Sequence, residues 1–277
     1  MTVTRTRPVR ELPAGPLSMF DPVFVAVDET GQPVYLDFAD QVGIIPAGEP
    51  GSGKSVALAN IVAHGALSYR DCRLTLIDGA LVELGVWRSC ADEFVGPDIN
   101  HAIAVIEKQQ QAITACCEML LDTGRRKIVK GDGEPVNLTV IDELAYYSAT
   151  VGTKAERDKF NTTLRDCAAR GRKCAYRYVI ATQRPSTDIV PSSLRDLFGY
   201  RWAFRCATDD SSDVVLGKGA AKAGYTAAAI ADEARGAGLL RAEGKRVPRR
   251  VKAAYLTDSD IRRIAAHAAA LRTGEIS

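Results

Sequence analysis

The chain has 277 residues, 46% of them hydrophobic and 25% charged, with a formal net charge of +2. That balance suits a globular protein with a full core and excludes a disordered chain. No stretch approaches the roughly 18 apolar residues that a membrane-spanning helix needs. The seven cysteines are scattered and odd in number, which sets aside a disulfide framework and fits a reducing cytoplasm.

Residues 1 to 22 carry Arg5, Arg7 and Arg10 among Pro and Gly without periodicity or an apolar core, so a flexible arm is expected there rather than a signal peptide. Phe24 to Val27 and Val34 to Phe38 flank a turn-rich stretch from Asp28 to Pro33, the pattern of a β-hairpin. Short apolar runs then recur at Val42 to Ala47, Leu74 to Asp78, Leu138 to Asp142, Tyr178 to Thr182 and Tyr200 to Cys206. Such runs suit buried parallel strands. Helix-like segments alternate with them at Lys54 to Ser68, Ile99 to Lys130 and Lys154 to Arg170, which predicts an α/β fold with a mostly parallel central sheet flanked by helices.

Toward the end, Arg250 to Leu256 reads as a strand, and Asp258 as the cap of a helix whose Ile261, Ile264, Ala265, Ala268 and Leu271 share one face. That helix, within 257 to 277, is expected to dock on the main domain spanning 23 to 256. Three basic clusters stand out: Arg125, Arg126, Lys127 and Lys130; Arg170, Arg172, Lys173 and Arg177; and Lys245, Arg246, Arg249, Arg250 and Lys252. Any one of them is more readily a solvated face than a binding site. His64, His101 and His267 are far apart, and Cys116 and Cys117 are adjacent, so no spaced zinc motif is present.

The chemistry concentrates at three strand ends. Gly48, Glu49, Pro50, Gly51, Ser52, Gly53, Lys54 and Ser55 spell G-x-x-x-x-G-K-S between an apolar strand and a helix, the context of a phosphate-binding P-loop. Main-chain N–H groups there wrap the phosphates, Lys54 neutralises their charge, and the Ser55 hydroxyl is placed to ligate Mg²⁺. ATP and Mg²⁺ are therefore the expected cofactors. Leu138 to Glu143 is an apolar strand ending in two acids: Asp142 is expected to orient the Mg²⁺ shell, and Glu143 to polarise the attacking water. Gln183 closes a further strand, where its amide is expected to contact the γ-phosphate or the lytic water.

The P-loop, Ile141-Asp142-Glu143-Leu144-Ala145, and above all Ala181-Thr182-Gln183-Arg184-Pro185-Ser186 resemble the motor domain of FtsK/SpoIIIE-type DNA translocases. Further matches are Leu76-Ile77-Asp78, Arg201 to Arg205, and Asp210 to Gly217, so the resemblance runs from about residue 23 to 256. Within the family, Phe160 to Arg172 and Leu194 to Gly217 are most similar to the plasmid-transfer branch of TraB- and TraSA-like proteins. The resemblance implies a RecA-like P-loop NTPase core, a hexameric ring, double-stranded DNA threaded through it by phosphate contacts, and stepping driven by ATP hydrolysis. Relatives often add membrane helices before the motor or a winged-helix reader after it; neither is expected in this chain, so no membrane insertion is expected and anchoring is expected from a membrane-associated partner. The resemblance also implies an arginine supplied by a neighbouring subunit, for which Arg172 aligns best, then Arg170 and Arg205.

Relatives usually carry a lysine shortly after the aspartate of the second strand, whereas Asp78-Gly79 is followed here by Ala80. Weakened hydrolysis is one expected consequence. Segments 144 to 160 and 184 to 200, each after a catalytic strand end, are the expected DNA-facing loops. Two other readings share the P-loop: an ATP-binding regulatory module with little turnover, and a nucleotide kinase, which would not need the paired acid. A GTP switch lacks its N-K-x-D element.

Overall fold

The computed structural model describes residues 12–13 and 15–275. Ten strands form one sheet in the order β2-β1-β10-β9-β8-β3-β7-β6-β4-β5. They are β1 (Val23–Asp28), β2 (Pro33–Leu36), β3 (Gly43–Ala47), β4 (Cys72–Ile77), β5 (Glu93–Val95), β6 (Val136–Ile141), β7 (Tyr176–Ile180), β8 (Tyr200–Phe204), β9 (Ala237–Arg241) and β10 (Arg249–Ala253). From β8 to β5 every pairing is parallel, and from β8 to β2 every pairing is antiparallel. The expected mostly parallel sheet is therefore present, and the expected N-terminal hairpin is its far edge. Both hairpin strands belong to the same sheet because β1 pairs with β10, which returns from the end of the chain.

Strands β3 and β7 are buried at every position, as the uninterrupted apolar runs require. Helices cover both faces. On β6, Leu138 meets Gly65 of α1 (Lys54–Leu67), while the next residue, Thr139, accepts a hydrogen bond from Gln109 of α2 (Ile99–Asp122) at 2.9 Å. Successive strand residues point to opposite faces, so α1 and α2 lie on opposite sides of the sheet. Helix α3 (Lys154–Gly171) packs beside α2, and α6 (Asp258–Thr273) beside α1. The short α4 (Ser192–Arg195) and α5 (Asp209–Leu216) lie in the connections flanking β8.

Local chemistry sets the helix ends. Helix α2 starts on Asp98, whose carboxylate accepts the Asn100 N–H at 2.8 Å, and α3 starts on a Thr153/Glu156 capping box. Helix α2 stops at Asp122 instead of running to Lys130, because Gly124 turns into the left-handed region at φ 66°. In α6 the cap is Thr257, whose hydroxyl accepts the Asp260 N–H at 3.1 Å, so Asp258 is a first-turn residue and not the expected cap.

Residues 1–11 and 14 of the expected arm lie outside the described residues. Farther along, Ser18 donates to Asp71 at 2.5 Å, the Met19 N–H donates to the same carboxylate at 3.0 Å, and Met19 is fully buried. This part of the segment is packed against the end of α1.

Several residues of the basic clusters are occupied within the fold. Arg125 pairs with Asp132, Lys127 with Asp40 at 2.5 Å and Lys130 with Asp21 at 2.6 Å. Arg177 is buried, donating to the carbonyls of Phe38, Ala39, Arg172 and Tyr176, and that burial lowers its pKa to about 10. It is an internal fastener joining the hairpin to the turn before β7.

Candidate nucleotide-binding site

The parallel strands β3, β6 and β7 end at one edge of the sheet, and each delivers one part of the site there. The P-loop leaves β3 and enters α1, whose first turn has Gly53 as its cap and no side chain closing it. Among the described residues, the N–H groups of Gly51, Gly53, Lys54 and Ser55 donate to no acceptor. Unpaired donors at a helix N-terminus, reinforced by the helix dipole, form a built anion site. The Ser52 hydroxyl oxygen is buried without a hydrogen-bond partner, a further polar group aimed into the loop.

The loop is braced from two sides. Gly48 N–H donates to Thr182 O at 3.2 Å and Glu49 N–H to Arg205 O at 2.9 Å, linking it to the ends of β7 and β8. Gly236, just before β9, donates its N–H to Ser52 O at 2.8 Å. Gly53 has φ 108°, and a Cβ there would stand 2.4 Å from the Gly236 nitrogen. Both the conformation and the close approach restrict this position to glycine.

Lys54 and Asp142 form a buried ion pair. Lys54 Nζ lies 3.1 Å from Asp142 Oδ1 and 2.9 Å from the Asp142 carbonyl oxygen, with both side chains 4% exposed. Burial raises the Asp142 pKa, against the opposing pull of the Lys54 charge. The second carboxylate oxygen of Asp142 and the Ser55 hydroxyl accept no hydrogen bond among the described residues. Two hard oxygen donors left over beside an anion site fit Mg²⁺, with Ser55 and Asp142 as the residues that would hold it.

Glu143, beside Asp142, is held by hydrogen bonds from its neighbours. Its Oε1 accepts the Thr182 hydroxyl at 2.7 Å and the Ala145 N–H at 3.0 Å, and its Oε2 accepts the Gln183 N–H at 2.7 Å. Gln183 therefore reaches Glu143 through its main chain, while its side chain is exposed at the same edge.

The arginines separate into two groups. Arg205 follows β8 beside this chain's own P-loop, 3.4 Å from Glu49 and paired with Asp232. Arg172 precedes β7 and Arg170 ends α3, so both lie at the opposite edge of the sheet from the P-loop. Arg170 is held by Asp166 at 2.5 Å; Arg172, 46% exposed, has Glu243 at 3.9 Å as its ion-pair partner among the described residues. Asp78 turns inward, its carboxylate accepting the N–H groups of Ala80, Leu81 and Leu84, each at 2.9 Å. The loop containing Ala80 is thus closed by Asp78 without a lysine.

Sequence reasoning missed Asp232, Gly236 and the hub role of Thr182. Asp232 and Gly236 carry no local signal and matter because distant strands bring them to the P-loop, while Thr182 lies within the 181–186 motif, whose pattern does not reveal its contacts to Glu143 and Gly48.

No family model matches the chain. In sequence it is 27% identical over 289 residues to a DNA translocase FtsK of Treponema pallidum (strain Nichols), covering 95% of this chain and 33% of that protein. It is 24% identical over 291 residues to a DNA translocase FtsK of Haemophilus influenzae (strain ATCC 51907 / DSM 11121 / KW20 / Rd), covering 88% of this chain and 50% of that one. The chain thus spans between a third and a half of the length of these relatives. Among solved structures, the pCW3 conjugation coupling protein TcpA superposes with a TM-score of 0.77 at 20% identity, covering 95% of this chain and 75% of that one. EssC (ATPases 2 and 3) from Geobacillus thermodenitrificans superposes with 0.73 at 12% identity, covering 98% and 52%. The chain is, over nearly its whole length, a sequence relative of the FtsK DNA translocases, and it has the fold of P-loop ATPases.

Proposed function

We propose that the chain is the motor region of an ATP-hydrolysing double-stranded DNA translocase that works in conjugative or chromosomal DNA transfer. One observation carries this reading: unpaired P-loop amides at the start of α1 sit beside a buried Lys54–Asp142 pair, with Glu143 next to Asp142 at the same strand end. The sequence relatives, DNA translocases of the FtsK kind, support DNA as the substrate, and the likeness to the conjugation coupling protein TcpA supports the plasmid-transfer branch.

In this reading the amides from Gly51 to Ser55 and the Lys54 ammonium bind the triphosphate. Lys54 exchanges its bonds to Asp142 for phosphate oxygens, which frees that carboxylate. Mg²⁺, held through Ser55 and Asp142, supplies charge neutralisation on the phosphates when bound. Glu143, once released by Thr182 and Gln183, accepts a proton from the attacking water. Arg172, on the far edge and exposed, serves the site of a neighbouring copy in a hexameric ring, and Arg205 braces the loop of its own chain. The 144–160 and 184–200 segments, which leave the site edge after β6 and β7, contact DNA through phosphates and read no sequence. The motor works in the cytoplasm and is anchored by a membrane-associated partner.

The reading of an ATP-binding module with little turnover has one observation in its favour, the engagement of both Glu143 oxygens. A single assay separates the two: phosphate release from ATP with linear duplex DNA, together with displacement of a streptavidin block from the DNA end. Turnover stimulated by DNA and loss of the block are expected. ATP binding with no release under either condition would leave the binding module standing and remove the motor.

A further inference from the structure

Three aromatic side chains are exposed among the described residues: Phe24, Tyr35 and Tyr255. Phe24 and Tyr35 cover each other on the hairpin, with ring centroids 5.6 Å apart. Tyr255, 57% exposed, has no ring partner, and its hydroxyl makes no hydrogen bond among the described residues. A single exposed ring is ordinary on a protein surface, so it is its surroundings that give Tyr255 meaning.

Those surroundings are the P-loop. Ser52 O accepts the Gly236 N–H at 2.8 Å, and Gly236 O accepts the Ala253 N–H at 2.8 Å, so the chain two residues before Tyr255 is tied to the loop through one intermediary. One residue before it, Ala254 O accepts Asn60 Nδ2 of α1 at 2.6 Å, and the Ala254 N–H donates to Val25 O at 2.9 Å. Tyr255 thus has a fixed place past the end of β10, at the edge of the sheet where the P-loop lies. Its side chain and Leu256 line a cleft shared with Ser55 and Val56 in the first turn of α1 and with Asp258 and Ile261 of α6. The same first turn carries the unpaired amides.

We propose that Tyr255 is the stacking platform for the base of the nucleoside triphosphate whose phosphates the P-loop holds. The assignment rests on the nucleotide-binding reading of the P-loop and adds the part of the ligand that the loop does not recognise. A phenol ring offers a π-face to any base, so the contact contributes affinity for the nucleoside and discriminates weakly between bases. The carboxylates of Asp258 and Glu83 on the cleft walls suit the hydroxyl and amino donors of a nucleoside and disfavour phosphate there, which orients the ligand with its phosphates toward Lys54.

The test compares ATP with inorganic tripolyphosphate, each titrated with Mg²⁺ onto native protein, Tyr255→Ala and Tyr255→Phe. Stacking on this scale predicts that Tyr255→Ala weakens ATP by about tenfold, leaves tripolyphosphate unchanged, and that Tyr255→Phe restores ATP affinity. Equal ATP affinity in all three proteins, or an equal loss for both ligands in Tyr255→Ala, overturns the platform while the P-loop reading stands. If the native protein binds neither ligand, the P-loop reading itself fails and the platform falls with it.

Discussion

The hydroxyl of Thr182 donates to Glu143 Oε1 at 2.7 Å, and Thr182 is completely buried. The same residue accepts the Gly48 N–H on its carbonyl at 3.2 Å, so the acid that would activate water and the first residue of the P-loop meet on one side chain and its own main chain. A carboxylate holding short hydrogen bonds from fixed donors is a poor acceptor for a further proton donor until one of them leaves.

Thr182→Val keeps the shape of the side chain and removes that donor. Turnover without DNA is expected to rise several-fold while the stimulation by DNA shrinks, and Thr182→Ser is expected to restore the native ratio. Steady-state phosphate release with and without duplex DNA reads both. A fall in turnover under both conditions, without rescue by serine, would show that the contact supports the base rather than withholding it.

Lys54 and Glu143 are expected to fail differently. Lys54→Ala leaves the Asp142 carboxylate buried without its partner and removes the phosphate charge contact, so ATP binding is expected to be abolished. Glu143→Gln keeps the pair and is expected to bind ATP normally while hydrolysis drops by about 10² or more. Equilibrium titration with a fluorescent ATP analogue beside a phosphate-release assay distinguishes them, and equal loss of binding in both would contradict the division of labour.

Arg172 and Arg205 make opposite predictions because they lie at opposite edges of the sheet. Arg205→Ala removes the contacts to Glu49 and Asp232 and is expected to weaken ATP binding by the isolated chain. Arg172→Ala is expected to leave that binding intact and to lower turnover of the DNA-bound assembly by about 10³ or more, the scale of an arginine supplied across a subunit boundary. Mixing Arg172→Ala with Glu143→Gln protein should partially restore turnover, since some interfaces then combine an intact arginine with an intact acid. No restoration at any mixing ratio would remove Arg172 from the trans position.

Asp28 gives the hairpin a pH dependence. The Thr30 hydroxyl at 2.7 Å, then the Gln32 and Thr30 N–H groups and Arg249, bring its carboxyl from 3.8 down to about 2. A lowered carboxyl stabilises the fold fully above its unfolded value and loses that contribution as pH falls toward the folded value. The Tm difference between native protein and Asp28→Asn should therefore be constant above about pH 4.5 and shrink steadily toward pH 2. A difference that does not change across that range would mean the carboxylate charge contributes nothing there.

The local patterns carried the phosphate site. Gly48 to Ser55, the acids at 142 and 143, and Gln183 are contiguous signals at strand ends, and short-range chemistry obliges them to appear where they do. Helix α3 was legible for the same reason, with its capping box written in adjacent residues. Strand β9 was not: Ala237–Arg241 contains a glycine, is only five residues long, and is a strand because β8 and β10 flank it. Arg177 read as part of a surface patch, and only the carbonyls of Phe38 and Ala39, more than a hundred residues away in the chain, make its burial tolerable.

The sequence alone therefore determined which residues make up the candidate triphosphate site and at which strand ends they stand, since each motif is a local arrangement of glycine freedom, charge and helix start. The tertiary structure decided what each side chain touches: Glu143 bound to Thr182 and to the Gln183 main chain, Gly53 pressed against Gly236, Arg205 beside its own loop and Arg172 across the sheet from it. Those relationships join segments 39 to 183 residues apart, and long-range closeness follows from strand order, which no local pattern encodes.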